Sequence, residues 1–217
     1  PARPPRPVRA GSSGHGLPAC RECAGRDLAF AAASAAFCYE GPARALVTAC
    51  KFRALRSLAD ELAERAAPAF AAAALRAGAG AVVTSVPAHR DHRRDRGFDL
   101  AESLARRLAA DAGLTYAPLL RRVRHGARQS GLHRAERAAN VHQAFALRQT
   151  GFGVRNRLKR VIIIDDVYTT GETLTECAEA LTHAGHDAPH VFTFARTVRA
   201  TPAQASRDHA VHKERCR

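Results

Sequence analysis

Val161-Ile162-Ile163-Ile164-Asp165-Asp166-Val167-Tyr168-Thr169-Thr170-Gly171-Glu172-Thr173 joins a buried strand to two carboxylates and a phosphate-sized loop. Four consecutive β-branched residues read as a strand covered on both faces, the habit of parallel sheets in α/β proteins. The two aspartates then stand at its carboxyl end. Ligands of open α/β sheets bind in the crevice outside those strand ends, and a carboxylate pair there can accept hydrogen bonds from the vicinal hydroxyls of a ribose. Thr169, Thr170 and Thr173 offer hydroxyls, Gly171 lets backbone N–H groups approach closely, and a helix beginning near Thr173 presents its positive end to an anion. Leu174, Cys177, Ala178 and Leu181 fall on one face of that helix, and Gly185 stops it. An Asp-Asp pair after a strand could also be a metal site, an acidic cluster or a helix cap. The joint pattern favours a ribose 5-phosphate site.

Working outward, Ala81 to Val86 reads as a second parallel strand, ending at Pro87. The chain then turns basic, with four arginines and two histidines between Ser85 and Phe98. Strand carboxyl ends line one shared crevice, so this loop is assigned to diphosphate contact through Pro87, Ala88, His89, Arg90 and Arg96. Leu100, Leu104 and Leu108 mark a helix ended near Gly113, with a strand expected over Thr115 to Leu119 and another over His190 to Ala195. Leu55, Leu58, Ala59, Leu62 and Ala66 keep helical spacing, and Ala69 to Leu75 continues that helix beyond an expected bend at Pro68. The long connection from Arg121 to Phe145, containing Arg122, Arg124, Gln129, Arg137 and Asn140, reads as a lid that orders over the ligand and excludes water.

With 217 residues, the chain can hold one α/β domain with appendages. No apolar run is long enough for a membrane span or a secretory signal, so a cytoplasmic protein is the expectation. There is no Met, even at position 1, which suggests a processed N-terminus, another start codon or a cut from something longer. The net charge of +14 invites a nucleic-acid reading, although only three of the 34 basic residues are lysine and Arg/Ala dominance also follows from compositional bias. The six cysteines form no disulfide framework, and only Cys20 and Cys23 have metal-ligand spacing. With His15 as a speculative third donor, zinc is expected to be absent or weakly held.

The 161–173 segment resembles the signature of the type I phosphoribosyltransferases, which bind 5-phosphoribosyl 1-diphosphate with Mg²⁺. That resemblance implies a mostly parallel α/β sheet with flanking helices, a small N-terminal hood and a flexible lid loop. It gives the ribose hydroxyls to Asp165 and Asp166 as catalytic residues, and the 5-phosphate to Val167, Tyr168, Thr169, Thr170, Gly171, Glu172 and Thr173. Further residues narrow the likeness: Tyr39-Glu-Gly-Pro-Ala-Arg44, Lys51-Phe52, Val86-Pro87, Arg96-Gly97-Phe98, Arg122-x-Arg124, Gln129, Leu132, Arg137, Asn140 and Ala144-Phe145. The chain is similar to the ComF family, amidophosphoribosyltransferase-like proteins, over roughly residues 37 to 197. It departs from the family in carrying Asp99 and Leu100 where Asn and Gln are usual, Gly126 where the lid has Thr, and two cysteines of an N-terminal four-cysteine zinc module.

These readings divide the chain into an arm (1–19), a hood with the remnant cysteine pair (20–52), a phosphoribosyltransferase core (53–198) and a mobile tail (199–217). The leading function is transfer of a phosphoribosyl group from the Mg-bound donor to a nitrogen nucleophile, or the reverse. The rivals are a competence-associated protein that binds single-stranded DNA, or other competence proteins, without turnover, and a sensor of the donor. A homo-oligomer is left open. No residue is assigned as general base; Glu172 qualifies by position alone, and an exposed glutamate at a helix start is the simpler reading.

Overall fold

A computed structural model describes residues 8–9, 28–53, 56–88, 97–123, 144–148 and 160–198. Strands β1 (Val8–Arg9), β2 (Ala32–Cys38), β3 (Val82–Ser85), β4 (Thr115–Tyr116), β7 (Val161–Tyr168) and β8 (His190–Arg196) form one sheet in the order β1-β2-β8-β7-β3-β4. All neighbours are parallel except β1, which joins the edge antiparallel to β2. β5 (Leu120–Arg122) and β6 (Phe145–Leu147) make a separate antiparallel ladder. The architecture expected from the sequence, a mostly parallel sheet with flanking helices, is the one observed.

Both faces of the sheet are covered. Helices α1 (Gly41–Arg53), α2 (Arg56–Ala77) and α3 (Leu100–Asp111) lie on one face, and α4 (Glu172–His183) lies on the other with the β5–β6 ladder. β7 explains why its sequence is apolar throughout. Successive strand residues point to opposite faces, so Ile162 and Ile164 enter the α1–α3 layer while Val161 and Ile163 enter the α4 layer. The three isoleucines are fully buried, and each contributes roughly 2 kcal/mol of hydrophobic stabilisation. The faces of α3 and α4 are as expected, with Leu100, Leu104 and Leu108 buried on one and Leu174, Cys177, Ala178 and Leu181 on the other.

α2 continues as helix through Pro68, as expected, with Leu62, Ala66 and Phe70 buried and the Phe70 ring meeting Phe192 edge-on at 5.2 Å. Three expectations are corrected. The boundary at residue 52 does not separate a hood from a core, because Ala32–Cys38 is a strand of the central sheet and Val47 and Cys50 belong to the α1–α3 core. β4 ends at Tyr116 instead of Leu119. Pro118 has no N–H for the ladder, and Leu119 N–H instead donates to Thr84 Oγ1 at 3.1 Å. Finally, the long connection is shorter at both ends than expected, since Arg121 and Arg122 pair with Ala146 and Phe145. The arm, the tail, Cys20 and Cys23, and Arg124, Gln129, Arg137 and Asn140 of the expected lid lie outside the described residues.

The charge is unevenly placed. Of 34 basic and 20 acidic residues, 14 and 13 fall in the described segments, so the described core is close to neutral and the remaining segments carry nearly all of the +14. Exposed pairs Arg65–Glu61, Arg106–Glu102 and Arg107–Asp111, each one helical turn apart, balance charge locally and add little stability. Among the described residues no helix is long and apolar enough to cross a membrane.

Candidate functional site

The crossover β3–α3–β4 leaves β3 outward on one face of the sheet, and β7–α4–β8 leaves the adjacent β7 in the opposite direction on the other face. The loops that follow these two neighbours therefore diverge. Such a switch point opens a crevice at the strand carboxyl ends, and Asp165 and Asp166 stand there on β7.

The two carboxylates differ in setting. Asp166 faces the α1 layer, where its Oδ1 accepts from Lys51 Nζ at 2.6 Å, with side chains 15% and 26% exposed respectively. Asp165 faces α4 and accepts from the Asp166 backbone N–H at 2.8 Å through Oδ1. Burial, and next the charge of Asp166, hold the Asp165 carboxyl well above the usual carboxylate range. Behind it, burial and the Asp165 charge push the Cys177 thiol up. Burial and the Asp166 charge likewise push the Cys50 thiol to about 11, so both thiols behave as small core hydrophobes.

A carboxyl that binds its proton more tightly in the folded state stabilises the fold when protonated. That contribution is present at low pH and is lost as pH rises from the ordinary carboxylate range through the raised value. Asp165→Asn should therefore raise the neutral-pH Tm and flatten its pH dependence. Thermal melts of both proteins across acidic to neutral pH check this, and a lower neutral Tm in the variant contradicts it.

Gly171 begins α4 in the left-handed conformation, φ +85°, and has no side chain with which to cap the helix. Neither aspartate is a helix cap, which removes that alternative. The Glu172 N–H at the start of α4 donates to Thr170 Oγ1 at 3.5 Å, and this helix start lies beside the exposed Thr169, Thr170 and Thr173. Glu172 is exposed in the first turn, as expected of a helix-start glutamate. Tyr168 turns inward, its ring edge-on to Phe30 at 6.4 Å, and Thr197 N–H donates to its carbonyl at 2.9 Å. Val167 packs on the α1–α3 core. Of the phosphate segment, then, Val167, Tyr168 and Gly171 are packed into the fold, and Thr169, Thr170, Glu172 and Thr173 are exposed.

Across the crevice, half-buried Pro87 and Ala88 follow β3, while His89, Arg90 and Arg96 lie outside the described residues. Asp99 ties this loop down. Its Oδ2 accepts from Ala88 N–H at 3.0 Å and its Oδ1 caps α3 through Glu102 N–H at 3.2 Å. Two acceptors on one side chain explain a carboxylate here, and the neighbouring Leu100 is buried in the core. Burial raises the Asp99 carboxyl. Asp99→Ala should cost about 1–2 kcal/mol, the value of a helix cap, read as a lower urea midpoint; an unchanged midpoint contradicts the clasp.

Lys51 is the site residue that sequence reasoning left without a role. It sits 115 positions from Asp166, and only the path of α1 over the sheet brings them together. Among the described residues no group of three or more His, Cys, Asp or Glu converges to hold a metal.

Fold and site define an α/β protein with a carboxylate pair and a helix start at a topological switch point. No family model matches the chain. A 117-residue segment is 30% identical to competence protein F of Haemophilus influenzae, covering 52% of this chain and 49% of that protein. A 117-residue segment is likewise 32% identical to the DNA utilization protein YhgH of Salmonella typhi, covering 54% and 49%. The chain spans about half the length of the relatives it matches. Two solved structures align with 64% of this chain and 26% of theirs. One, described as the allosteric regulatory enzyme of purine biosynthesis, is 24% identical with a TM-score of 0.42. The other, glutamine phosphoribosylpyrophosphate amidotransferase from B. subtilis, is 25% identical with a TM-score of 0.43.

Proposed function

We propose that the crevice binds 5-phosphoribosyl 1-diphosphate with Mg²⁺ and that the chain transfers the phosphoribosyl group to or from a nitrogen nucleophile. One observation carries the reading: consecutive carboxylates lie on β7 just beyond its pairing with β3, at the switch point, and the next helix begins at Gly171 a few residues on. Carboxylates accept from the 2- and 3-hydroxyls of a ribose, and an open helix start takes a phosphate. In this reading Asp165 and Asp166 fix the sugar, and Thr169 to Thr173 with the α4 N-terminus hold its 5-phosphate. Pro87 and Ala88, with His89, Arg90 and Arg96 of the segment beyond them, serve the diphosphate, and Arg122 and the basic segment after it close the site.

Mg²⁺ keeps several waters and is held through one or two carboxylates and substrate phosphates. Asp165 and Asp166 suit an ion that arrives with the diphosphate. Bound there, the ion would neutralise charge on the departing diphosphate. The chain's own part is to orient the sugar so that the nucleophile meets the anomeric carbon.

Isothermal titration of the donor with Mg²⁺, then a screen of nitrogen nucleophiles for diphosphate release, tests this. Saturable binding and release support the reading. No heat at millimolar donor overturns it, and binding without release with any acceptor leaves a donor sensor.

A second reading has its own support, since the relatives' names concern competence and DNA utilization and the excess positive charge is concentrated outside the described core. Single-stranded DNA binding with a steep salt slope, unaffected by the donor, would favour it.

A further inference from the structure

We propose that Thr197, the residue after β8, is a positioning residue that holds the backbone of Thr169 and Thr170 in the shape a phosphate monoester needs, an inference that rests on the ribosyl-donor reading above. Thr197 is exposed, yet its polar groups converge on one short stretch of chain. Its N–H donates to the Tyr168 carbonyl at 2.9 Å. Its hydroxyl lies 3.3 Å from the carbonyl oxygen of Tyr168 and 3.3 Å from that of Thr169. A hydroxyl has one proton to donate, so the two carbonyls share it.

In a planar trans peptide the C=O and the following N–H point in opposite directions. Drawing the Tyr168 and Thr169 carbonyls towards Thr197 therefore turns the Thr169 and Thr170 N–H groups away from it. Successive N–H groups held on one side of a turn form an anion-binding concavity. The side they face is the one on which β3 has already ended, since its last pair with β7, Ser85 with Ile164, stops short of Tyr168.

The restraint has to come from β8. Gly171 brings conformational freedom to the turn and no side chain. β8, by contrast, stays paired with β7 as far as Tyr168, which lies opposite Arg196, and the Arg196 guanidinium stacks on the Tyr168 ring at 5.3 Å. Thr197 thus reaches the exposed turn from the end of a strand fixed in the sheet.

Thr197→Val keeps the backbone N–H and the shape of the side chain and removes the hydroxyl. Because the residue is exposed, the urea midpoint should hardly change. NMR relaxation of the unliganded protein should show the Thr169 and Thr170 amides more mobile in Thr197→Val, and as ordered in Thr197→Ser as in the unaltered chain. By calorimetry, Thr197→Val should bind ribose 5-phosphate about tenfold more weakly, whereas Mg-diphosphate, which lacks the 5-phosphate, should change less than about twofold. Thr197→Ser should restore the ribose 5-phosphate affinity. Equal losses for both ligands would make Thr197 a general stabiliser of the fold, and unchanged amide order in Thr197→Val would show that the turn holds itself; either overturns the proposal. If the unaltered protein binds neither ligand, the ribosyl-donor reading itself fails, and the relaxation data alone decide whether Thr197 braces the turn.

Discussion

Asp165→Ala combined with Asp166→Ala is expected to weaken binding of 5-phosphoribosyl 1-diphosphate by about 10²- to 10⁴-fold, because each carboxylate offers a charge-assisted hydrogen bond worth roughly 1.5–3 kcal/mol. The fold should survive. Asp165 is partly exposed and burial disfavours its ionised form, so its removal should not harm the neutral-pH fold. Loss of Asp166 frees Lys51, which is partly exposed and can be solvated. Calorimetry beside a melting curve separates lost binding from lost structure. Donor affinity unchanged in a folded double variant would place the ligand elsewhere.

Gly171→Ala is the second large effect, and it should strike both stability and the phosphate end of the site. Holding a non-glycine residue at φ +85° costs about 1–2 kcal/mol. The added Cβ would also lie 2.7 Å from Tyr168 Cζ. That ring cannot easily give way, since Tyr168 is 5% exposed and packs against Phe30. A total of about 2–4 kcal/mol is expected, the strain of overpacking added to that of the backbone. The loop should shift and ribose 5-phosphate should bind at least about tenfold more weakly, since its helix-start contacts depend on loop position. Adding Tyr168→Phe removes the hydroxyl nearest the new methyl and should restore part of the urea midpoint. A Gly171→Ala protein with unaltered midpoint and affinity would show that this turn tolerates a side chain and does not set the site.

The parts of the fold that were legible are those where pattern and burial agree. Four β-branched residues before Asp165 mark a central strand because both of its faces are covered, and the leucine spacings of α3 and α4 match their buried stripes. β2 was missed as a sheet strand for the opposite reason. Ala32-Ala-Ser-Ala-Ala-Phe-Cys38 has little intrinsic strand preference, and pairing with β8 along its length supplies what composition does not. Alanine also disguised α1, whose buried Val47 and Cys50 are too few to print a strong periodicity. Within the site, the acidic pair and the helix start were readable because they are adjacent in sequence. The Lys51–Asp166 contact and the clasp between Asp99 and Ala88 are tertiary, and no local spacing announces them.

A crystal structure of the protein with 5-phosphoribosyl 1-diphosphate and Mg²⁺ tests the central claim most directly. The account predicts ribose hydroxyls within hydrogen-bond distance of Asp165 and Asp166, and the 5-phosphate against the first turn of α4 beside Thr169 to Thr173. A donor bound at full occupancy away from β7, with both carboxylates untouched, would contradict it.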